Sequence, residues 1–139
     1  MTDSHFDEQL YRSGLRDGRI GRNVIILKSV DSTNRLAREL GAAHRATRAP
    51  NGTVIIAEKQ TAGRGRFRRA WASPAGGLWF SLVLRPEAGD PALPSLSLLA
   101  GVSLAAALEK AAGEELVLGW PNDIVYKGKK LAGILVENI

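Results

Sequence analysis

The chain has 139 residues, of which 45% are hydrophobic and 24% charged, and its formal net charge is +5. This length and composition fit one globular domain with a sizeable core, and the lack of cysteine excludes disulfides and thiolate metal sites. We see no apolar run of the ~20 residues that a membrane span needs and no signal peptide, so we expect a cytoplasmic protein with no membrane partner.

The predicted elements follow one another with short connections. β-Branched apolar runs such as "NVIILK" and "TVIIAEK" predict buried strands, and apolar residues spaced three or four apart predict helices. In chain order the elements are a helix over 6–15, a strand over 23–28, a helix over 31–43, a strand over 53–59, a strand over 77–86, a helix over 95–113, a strand over 115–120 and a hairpin over 123–137.

Two predicted helices carry informative signals. In the helix over 31–43, Asp31, Ser32 or Thr33 can cap the first turn, and Gly41 is a natural stop. The helix over 95–113 is apolar around much of its circumference, which predicts a core helix.

The hairpin over 123–137 is expected to turn at Lys127 and Gly128. Runs of strands interrupted by helices are typical of α+β domains. We therefore expect a mixed, mostly antiparallel sheet with helices packed on one face.

The basic stretch "EKQTAGRGRFRRAW" (58–71) holds five cations against a single carboxylate. Gly63 and Gly65 let the backbone approach a ligand closely, and Arg64 and Arg66 offer planar forks for phosphate or carboxylate oxygens. The stretch therefore predicts a loop that closes over an anion.

Two other interpretations of this stretch stay open. It could be a solvated basic loop, or it could bind single-stranded nucleic acid, because Arg68 and Arg69 stand beside the aromatic Trp71.

A second polar stretch is "GWPNDIVYKGKKLAGILVE" (119–137). It is expected to put a carboxylate at Asp123 and an ammonium at Lys130 at opposite ends of one tight hairpin. Taken alone, it could be only a turn after Pro121 and a soluble lysine-rich tip, just as "DSTN" (31–34) alone could be only a helix cap.

Together, these stretches resemble a known family. Three motifs, "SVDSTN", "AEKQTAGRGR" followed by "W.SP.GGLWFSLVLRP", and "WPNDIVYKGKKLAGILVE", in this order and separation, are similar to the catalytic domain of the biotin protein ligases, from about Asn23 to Glu137. The resemblance implies an α+β fold related to class II aminoacyl-tRNA synthetases. It also implies a helix and lead-in over 1–22 and a partial catalytic domain over 23–139, without that domain's C-terminal part and without a C-terminal β-barrel domain.

The resemblance implies an activity as well. Family members use ATP, with Mg²⁺, to convert biotin to biotinyl-5′-AMP. They then transfer biotin to a lysine of the biotin carboxyl carrier protein of a biotin-dependent carboxylase. Many dimerise through a sheet edge, so a homodimer is one state that the resemblance allows.

Residue roles are implied position by position. Ser32, Thr33 and Gln60 would hydrogen-bond the ureido ring of biotin, because a polar ring in a dry pocket needs paired donors and acceptors. The implied biotin-binding residues are Ser32, Thr33, Asn34, Gln60, Gly63, Arg64, Gly65, Arg66, Lys130, Gly133 and Leu135. The implied ATP- or adenylate-binding residues are Arg64, Arg66, Trp71, Asn122 and Lys130.

The implied catalytic residues are Lys130, Arg66 and Asp123, and no protein metal ligands are expected. Lys130 would stabilise charge in the transition state, with Asp123 orienting it or assisting the incoming amine. Arg66 and its neighbour Arg64 would neutralise biotin's carboxylate and the phosphates.

The sequence departs from the family at Arg68, where the loop usually has another glycine, so the loop loses backbone freedom there. The residues before Asn23 are too few for a winged helix, and we expect no specific DNA binding. The alternatives are a lipoate or octanoate ligase or transferase of the same superfamily, although its glycine-histidine motif is missing, and a basic nucleic-acid-binding module without enzymatic activity.

Overall fold

The computed structural model describes residues 6–16, 18–44 and 48–138. Helices and strands of this part of the chain are α1 (Glu8–Gly14), β1 (Val24–Leu27), α2 (Thr33–Ala42), β2 (Val54–Ala57), β3 (Trp79–Leu82), α3 (Leu96–Ala112), β4 (Val117–Gly119), β5 (Asp123–Tyr126) and β6 (Lys129–Gly133). The α+β fold class is confirmed. The connection between α2 and β2 falls partly on residues 45–47, outside the described residues.

The chain divides into two compact units. The first comprises the described residues up to Arg64 together with Arg68–Arg85, and the second comprises Gly65–Phe67 and Pro86–Asn138. Each unit has its own three-stranded sheet, with strand orders β1-β2-β3 and β4-β5-β6. The strands therefore form two small sheets where the sequence suggested one.

In the first unit, β2 is the central strand of its sheet. It pairs in parallel with β1 and antiparallel with β3, with Ile55 opposite both Ile25 and Ser81. Every residue of β2 is buried, and α2 packs over β2 and β3. Burial of a side chain such as that of Ile55 stabilises the fold by about 2 kcal/mol.

Helix α2 begins at one of the predicted caps and ends one residue beyond the predicted stop at Gly41. Ser32 is its cap, accepting a hydrogen bond from Arg35 N at 3.4 Å. The prediction that Gly41 stops the helix is wrong, because Gly41 is buried inside α2. A backbone carbonyl in the last turn of α2 is paired with a side chain, because Arg85 Nη2 donates to Gly41 O at 3.0 Å.

In the second unit, β5 and β6 form the predicted hairpin. Lys127 and Gly128 have φ values of 46° and 75°, as a two-residue primed turn requires. Val125 pairs with Lys130 and Ile124 with Ala132, so Leu131 is an extra residue in β6 and forms a bulge.

Helix α3 packs against β4 and β5 and ends at Gly113, whose φ of 69° is left-handed. Its buried residues are Gly101 and Ala105. The prediction of a core helix is wrong in this respect, because the apolar side chains of Leu99 and Val102 are about half exposed.

The segment Leu93–Ala112, which contains α3, is long and apolar enough to cross a membrane by length and composition alone. The core helix of a soluble protein can meet the same criteria of length and composition. The expectation that the chain has no apolar run of about 20 residues is nevertheless wrong.

Candidate functional site

Strand β2 continues into the basic stretch through isolated backbone bridges. Gln60 pairs with both Val30 and Ser73, and Arg64 pairs with Ala70. The bridge between Arg64 and Ala70 closes the base of the arginine-rich loop, which comprises residues 65–69.

The side chain of Gln60 is held at both ends. Its Oε1 accepts hydrogen bonds from Thr33 N at 2.8 Å and from Thr33 Oγ1 at 3.0 Å. Its Nε2 donates to Ser73 Oγ at 2.9 Å. Thr33 and Ser73 are buried and Gln60 is half-buried, so the amide is fixed in a largely dry environment.

The network continues onto β3. Ser81 Oγ lies 2.9 Å from Thr33 Oγ1 and 2.6 Å from Asn34 Oδ1. Four residues of the predicted biotin set therefore come together or adjoin within the first unit, namely Ser32, Thr33, Asn34 and Gln60. Sequence reasoning missed Ser73 and Ser81. The sequence did contain a signal for Ser81. A serine in a strand that pairs with a fully buried strand needs a polar partner.

Gly63 is packed against this network. A Cβ atom on Gly63 would lie 2.5 Å from Trp71 O and 2.6 Å from Ser73 Oγ. The backbone of Trp71 also donates to Gly63 O at 2.9 Å. Glycine is therefore required here by close packing, and any side chain would push the ends of the basic loop apart.

The arginine-rich loop has an unusual backbone. Phe67 and Arg68 have φ values of 57° and 59°, in the left-handed region that favours glycine. Arg68 stands where the family resemblance expects glycine, so the structure keeps the glycine conformation without the glycine. The loop arginines Arg64, Arg66 and Arg68 are exposed, which leaves their guanidinium groups accessible to anions.

In the second unit, Arg66 is connected to Asn122. Arg66 Nη1 donates to Asn122 Oδ1 at 3.4 Å, and its guanidinium lies 5.0 Å from the centre of the Phe67 ring. Asn122 is fixed in turn by Ile134. Its side-chain Nδ2 donates to Ile134 O at 2.9 Å, and its backbone O accepts from Ile134 N at 2.8 Å.

The hairpin brings Asp123 and Lys130 together, so the expectation that they lie at its opposite ends is wrong. Lys130 faces Val125 across the ladder, so it shares a sheet face with Asp123, two residues away along β5. Lys130 Nζ lies 2.7 Å from Asp123 Oδ1. This oxygen is buried and accepts no aligned hydrogen bond among the described residues, so the ion pair is its main compensation.

Gly133 and Leu135 flank Ile134 at the end of β6, where Gly133 pairs with Asp123. Their predicted place in a pocket wall stays a prediction. Two described concavities lie in the first unit, one beside Leu10 and Tyr11 and one beside Arg22 and Arg48, and neither contains a predicted site residue.

Within the described residues, no group of three or more His, Asp or Glu side chains could hold a metal ion.

The comparison with known proteins identifies the family. Residues 26–139 match the model of the biotin/lipoate A/B protein ligase family. This chain belongs to that family.

Curated relatives include two kinds of bacterial biotin ligase. The chain is 44% identical over 131 residues to a bifunctional ligase/repressor BirA from Bacillus spizizenii, covering 94% of this chain and 39% of the relative. It is 41% identical over 115 residues to a biotin–[acetyl-CoA-carboxylase] ligase from Paracoccus denitrificans, covering 81% of this chain and 46% of the relative.

Solved structures agree with the family assignment. The biotin protein ligase from Aquifex aeolicus in complex with biotin and ATP has a TM-score of 0.71 at 39% identity, over 84% of this chain and 47% of that one. The ligase from Leishmania major in complex with biotinyl-5-AMP has a TM-score of 0.72 at 30% identity, over 84% and 52%. The chain thus spans about half the length, or less, of the relatives it matches.

Proposed function

We propose that this chain carries the part of a biotin protein ligase that binds biotin and joins it to AMP. The support comes from its identity of 41–44% with bacterial ligase/repressors and a biotin–[acetyl-CoA-carboxylase] ligase. Relatives solved with biotin and ATP or with biotinyl-5-AMP point to the same chemistry.

The observation that carries the proposal is the buried polar network around Gln60. Hydroxyl and amide groups of Thr33, Gln60, Ser73 and Ser81 meet beside the end of β2. Such groups suit the ureido ring of biotin, which has two N–H donors and a carbonyl acceptor. The dithiolane ring of lipoate offers no strong hydrogen-bonding group, so it would leave the remaining Gln60 N–H of this network without a partner. Biotin is therefore favoured over lipoate within the family.

In the first reaction step, a carboxylate oxygen of biotin attacks the α-phosphorus of ATP, and the bond to the pyrophosphate leaving group breaks. Both reactants are anionic, so cations are the main catalytic need. Arg64 and Arg66 neutralise the carboxylate and phosphates. Lys130, kept beside Asp123 at 2.7 Å, stabilises the charge that builds up on the reacting oxygens. Trp71 lies against the adenine or shields the adenylate from water.

In the second step, the amine of a carrier-protein lysine attacks the acyl carbon, the bond to AMP oxygen breaks, and the amine loses a proton. Asp123 orients Lys130 or assists this amine. The carrier is the biotin carboxyl carrier protein of a biotin-dependent carboxylase, and the site of action is the cytoplasm.

Mg²⁺ enters with ATP as the counter-ion of its phosphates. The described residues do not provide a cluster of three metal-ligating side chains, and Mg²⁺ commonly binds through substrate phosphates with few protein ligands. We therefore assign no reaction step to a protein-bound metal.

The test is pyrophosphate release from ATP by the purified chain on addition of biotin, with biotinyl-5′-AMP identified by mass spectrometry. We expect release with biotin and none with lipoate or without an acid. Release with lipoate alone would support the lipoate alternative. Absence of both release and biotin binding, together with biotin-insensitive binding of single-stranded DNA, would support the nucleic-acid alternative.

A further inference from the structure

We infer that Ser73 is a positioning residue, which fixes the amide of Gln60 so that it offers a hydrogen-bond donor to the ligand. The inference rests on the proposed function, because it specifies the polarity of the proposed biotin site. Ser73 belongs to the stretch between the basic loop and β3, and the family resemblance gives it no role.

The hydrogen bonds around Ser73 run in one direction. Ser73 Oγ donates its single hydrogen to Trp71 O at 3.2 Å. It therefore presents only lone pairs to Gln60, whose Nε2 donates to it at 2.9 Å. A carboxamide oxygen in this place would face another acceptor. Ser73 thus requires the NH₂ group of Gln60 on its side.

The other end of the amide has the opposite requirement. The backbone N–H of Thr33 can only donate, and it lies 2.8 Å from Gln60 Oε1. Thr33 Oγ1 donates to the same oxygen at 3.0 Å and lies 2.9 Å from Ser81 Oγ. Thr33 and Ser73 therefore select the same orientation from opposite sides.

This orientation determines what Gln60 can offer. Both lone pairs of Oε1 are used by Thr33, and one of the two Nε2 hydrogens is used by Ser73. No further partner of Nε2 lies in the described part of the chain. The second Nε2 hydrogen is therefore the polar group left for a ligand, and its complement is an acceptor such as a ureido oxygen.

Ser73 suits a positioning role because it is nearly inaccessible. It is 5% exposed, and its backbone O accepts from Gln60 N at 2.9 Å, so the two residues are directly paired. Water cannot readily replace the lost hydroxyl, and the amide of Gln60 would lose a buried partner. Because the same hydroxyl bonds to Trp71 O, it also connects the amide to the end of the basic loop.

The experiment is a double-mutant cycle on biotin affinity, measured by calorimetry with the full chain. Its members are the parent, Ser73→Ala, Gln60→Leu and the double variant. Ser103→Ala is the matched control, because Ser103 is exposed on α3. We expect Ser73→Ala to weaken biotin binding about 10-fold in the parent and less than about 2-fold when Gln60→Leu is present, because Ser73 acts through Gln60. The control leaves the affinity unchanged.

Equal weakening by Ser73→Ala with and without the Gln60 amide would overturn the inference, as would unchanged affinity in Ser73→Ala. A failure of the parent chain to bind biotin would refute the proposed function instead, and with it the ligand part of the inference.

A second readout does not depend on the ligand. In ¹⁵N-labelled protein, the two side-chain amide hydrogens of Gln60 should show contacts to Ser73 and well-separated chemical shifts. Ser73→Ala should remove the contacts and bring the shifts together, as in an exposed glutamine. Unchanged Gln60 amide signals in Ser73→Ala would show that Thr33 alone orients the amide and would contradict the positioning role.

Discussion

At the residue scale, Arg68 has a backbone conformation that favours glycine. Its φ of 59° is left-handed, which costs an L-residue with a Cβ atom roughly 1–2 kcal/mol relative to glycine. The side chain is exposed, so packing does not offset this cost. The arginine adds charge to the loop at the expense of local stability.

We therefore expect Arg68→Gly to raise the free energy of unfolding by about 1 kcal/mol, which corresponds to a melting temperature ~3 °C higher. Urea unfolding followed by circular dichroism measures it. Arg69→Gly is the matched control, since it removes the same charge where φ is not positive, and it should leave the stability unchanged or lower it. An equal effect of both changes would show that charge, not backbone strain, is responsible.

Lys130 is the residue whose loss should affect the reaction most. We expect Lys130→Ala to slow biotin-dependent ATP–pyrophosphate exchange by about 100-fold or more, the scale of losing a transition-state charge contact. The change also leaves the buried Asp123 Oδ1 without its cation, so some stability is lost although Lys130 is exposed.

Lys129→Ala is the control for this prediction, because it removes an exposed cation from the neighbouring position of β6. Exchange rates that are the same in Lys130→Ala and Lys129→Ala would contradict the catalytic role of Lys130. Melting temperatures of both variants separate a loss of fold from a loss of chemistry.

The sequence motifs named two residues that the structure brings into contact, whereas the roles given to them stay predictions. The quoted motifs pointed to Thr33 and Gln60, and these two are hydrogen-bonded to each other. Ser73 and Ser81 were missed because their contacts depend on strand pairings across 13 and 48 residues of sequence. Such long-range register is not contained in local patterns.

At the element scale, the β5–β6 hairpin is the feature that the sequence predicts best. Its two-residue turn sets the register, and the register alone puts Asp123 and Lys130 on one face. The end of α2 was not predictable in the same way, because the carbonyl of Gly41 accepts a hydrogen bond from Arg85, a residue 44 positions away in sequence.

The hairpin register leads to a further prediction. Gly128 has a φ of 75°, so Gly128→Ala should strain the turn and lower the free energy of unfolding by about 1 kcal/mol. Lys127→Asn should instead raise the free energy of unfolding, because asparagine tolerates the left-handed φ of 46° found there. Chemical denaturation of both variants measures this. Destabilisation by both changes would contradict the primed turn.

At the scale of the whole molecule, the sequence predicted the α+β class and the family but not the division into two units. Units are defined by contact density between distant segments, and the basic stretch contributes residues to both. The exposure of Leu99 and Val102 on α3 was equally unpredictable, since periodicity cannot tell a helix covered on all sides from one covered on a single stripe.

The central claim is that the network around Gln60 recognises a ureido ring. Calorimetric titration of the chain with biotin, dethiobiotin and lipoate tests it most directly, because dethiobiotin keeps the ureido ring and lipoate keeps only the carboxylate tail. We predict that biotin and dethiobiotin bind, with lipoate weaker by about 100-fold or more. Lipoate binding as tightly as biotin, or dethiobiotin failing to bind where biotin does, would contradict the claim.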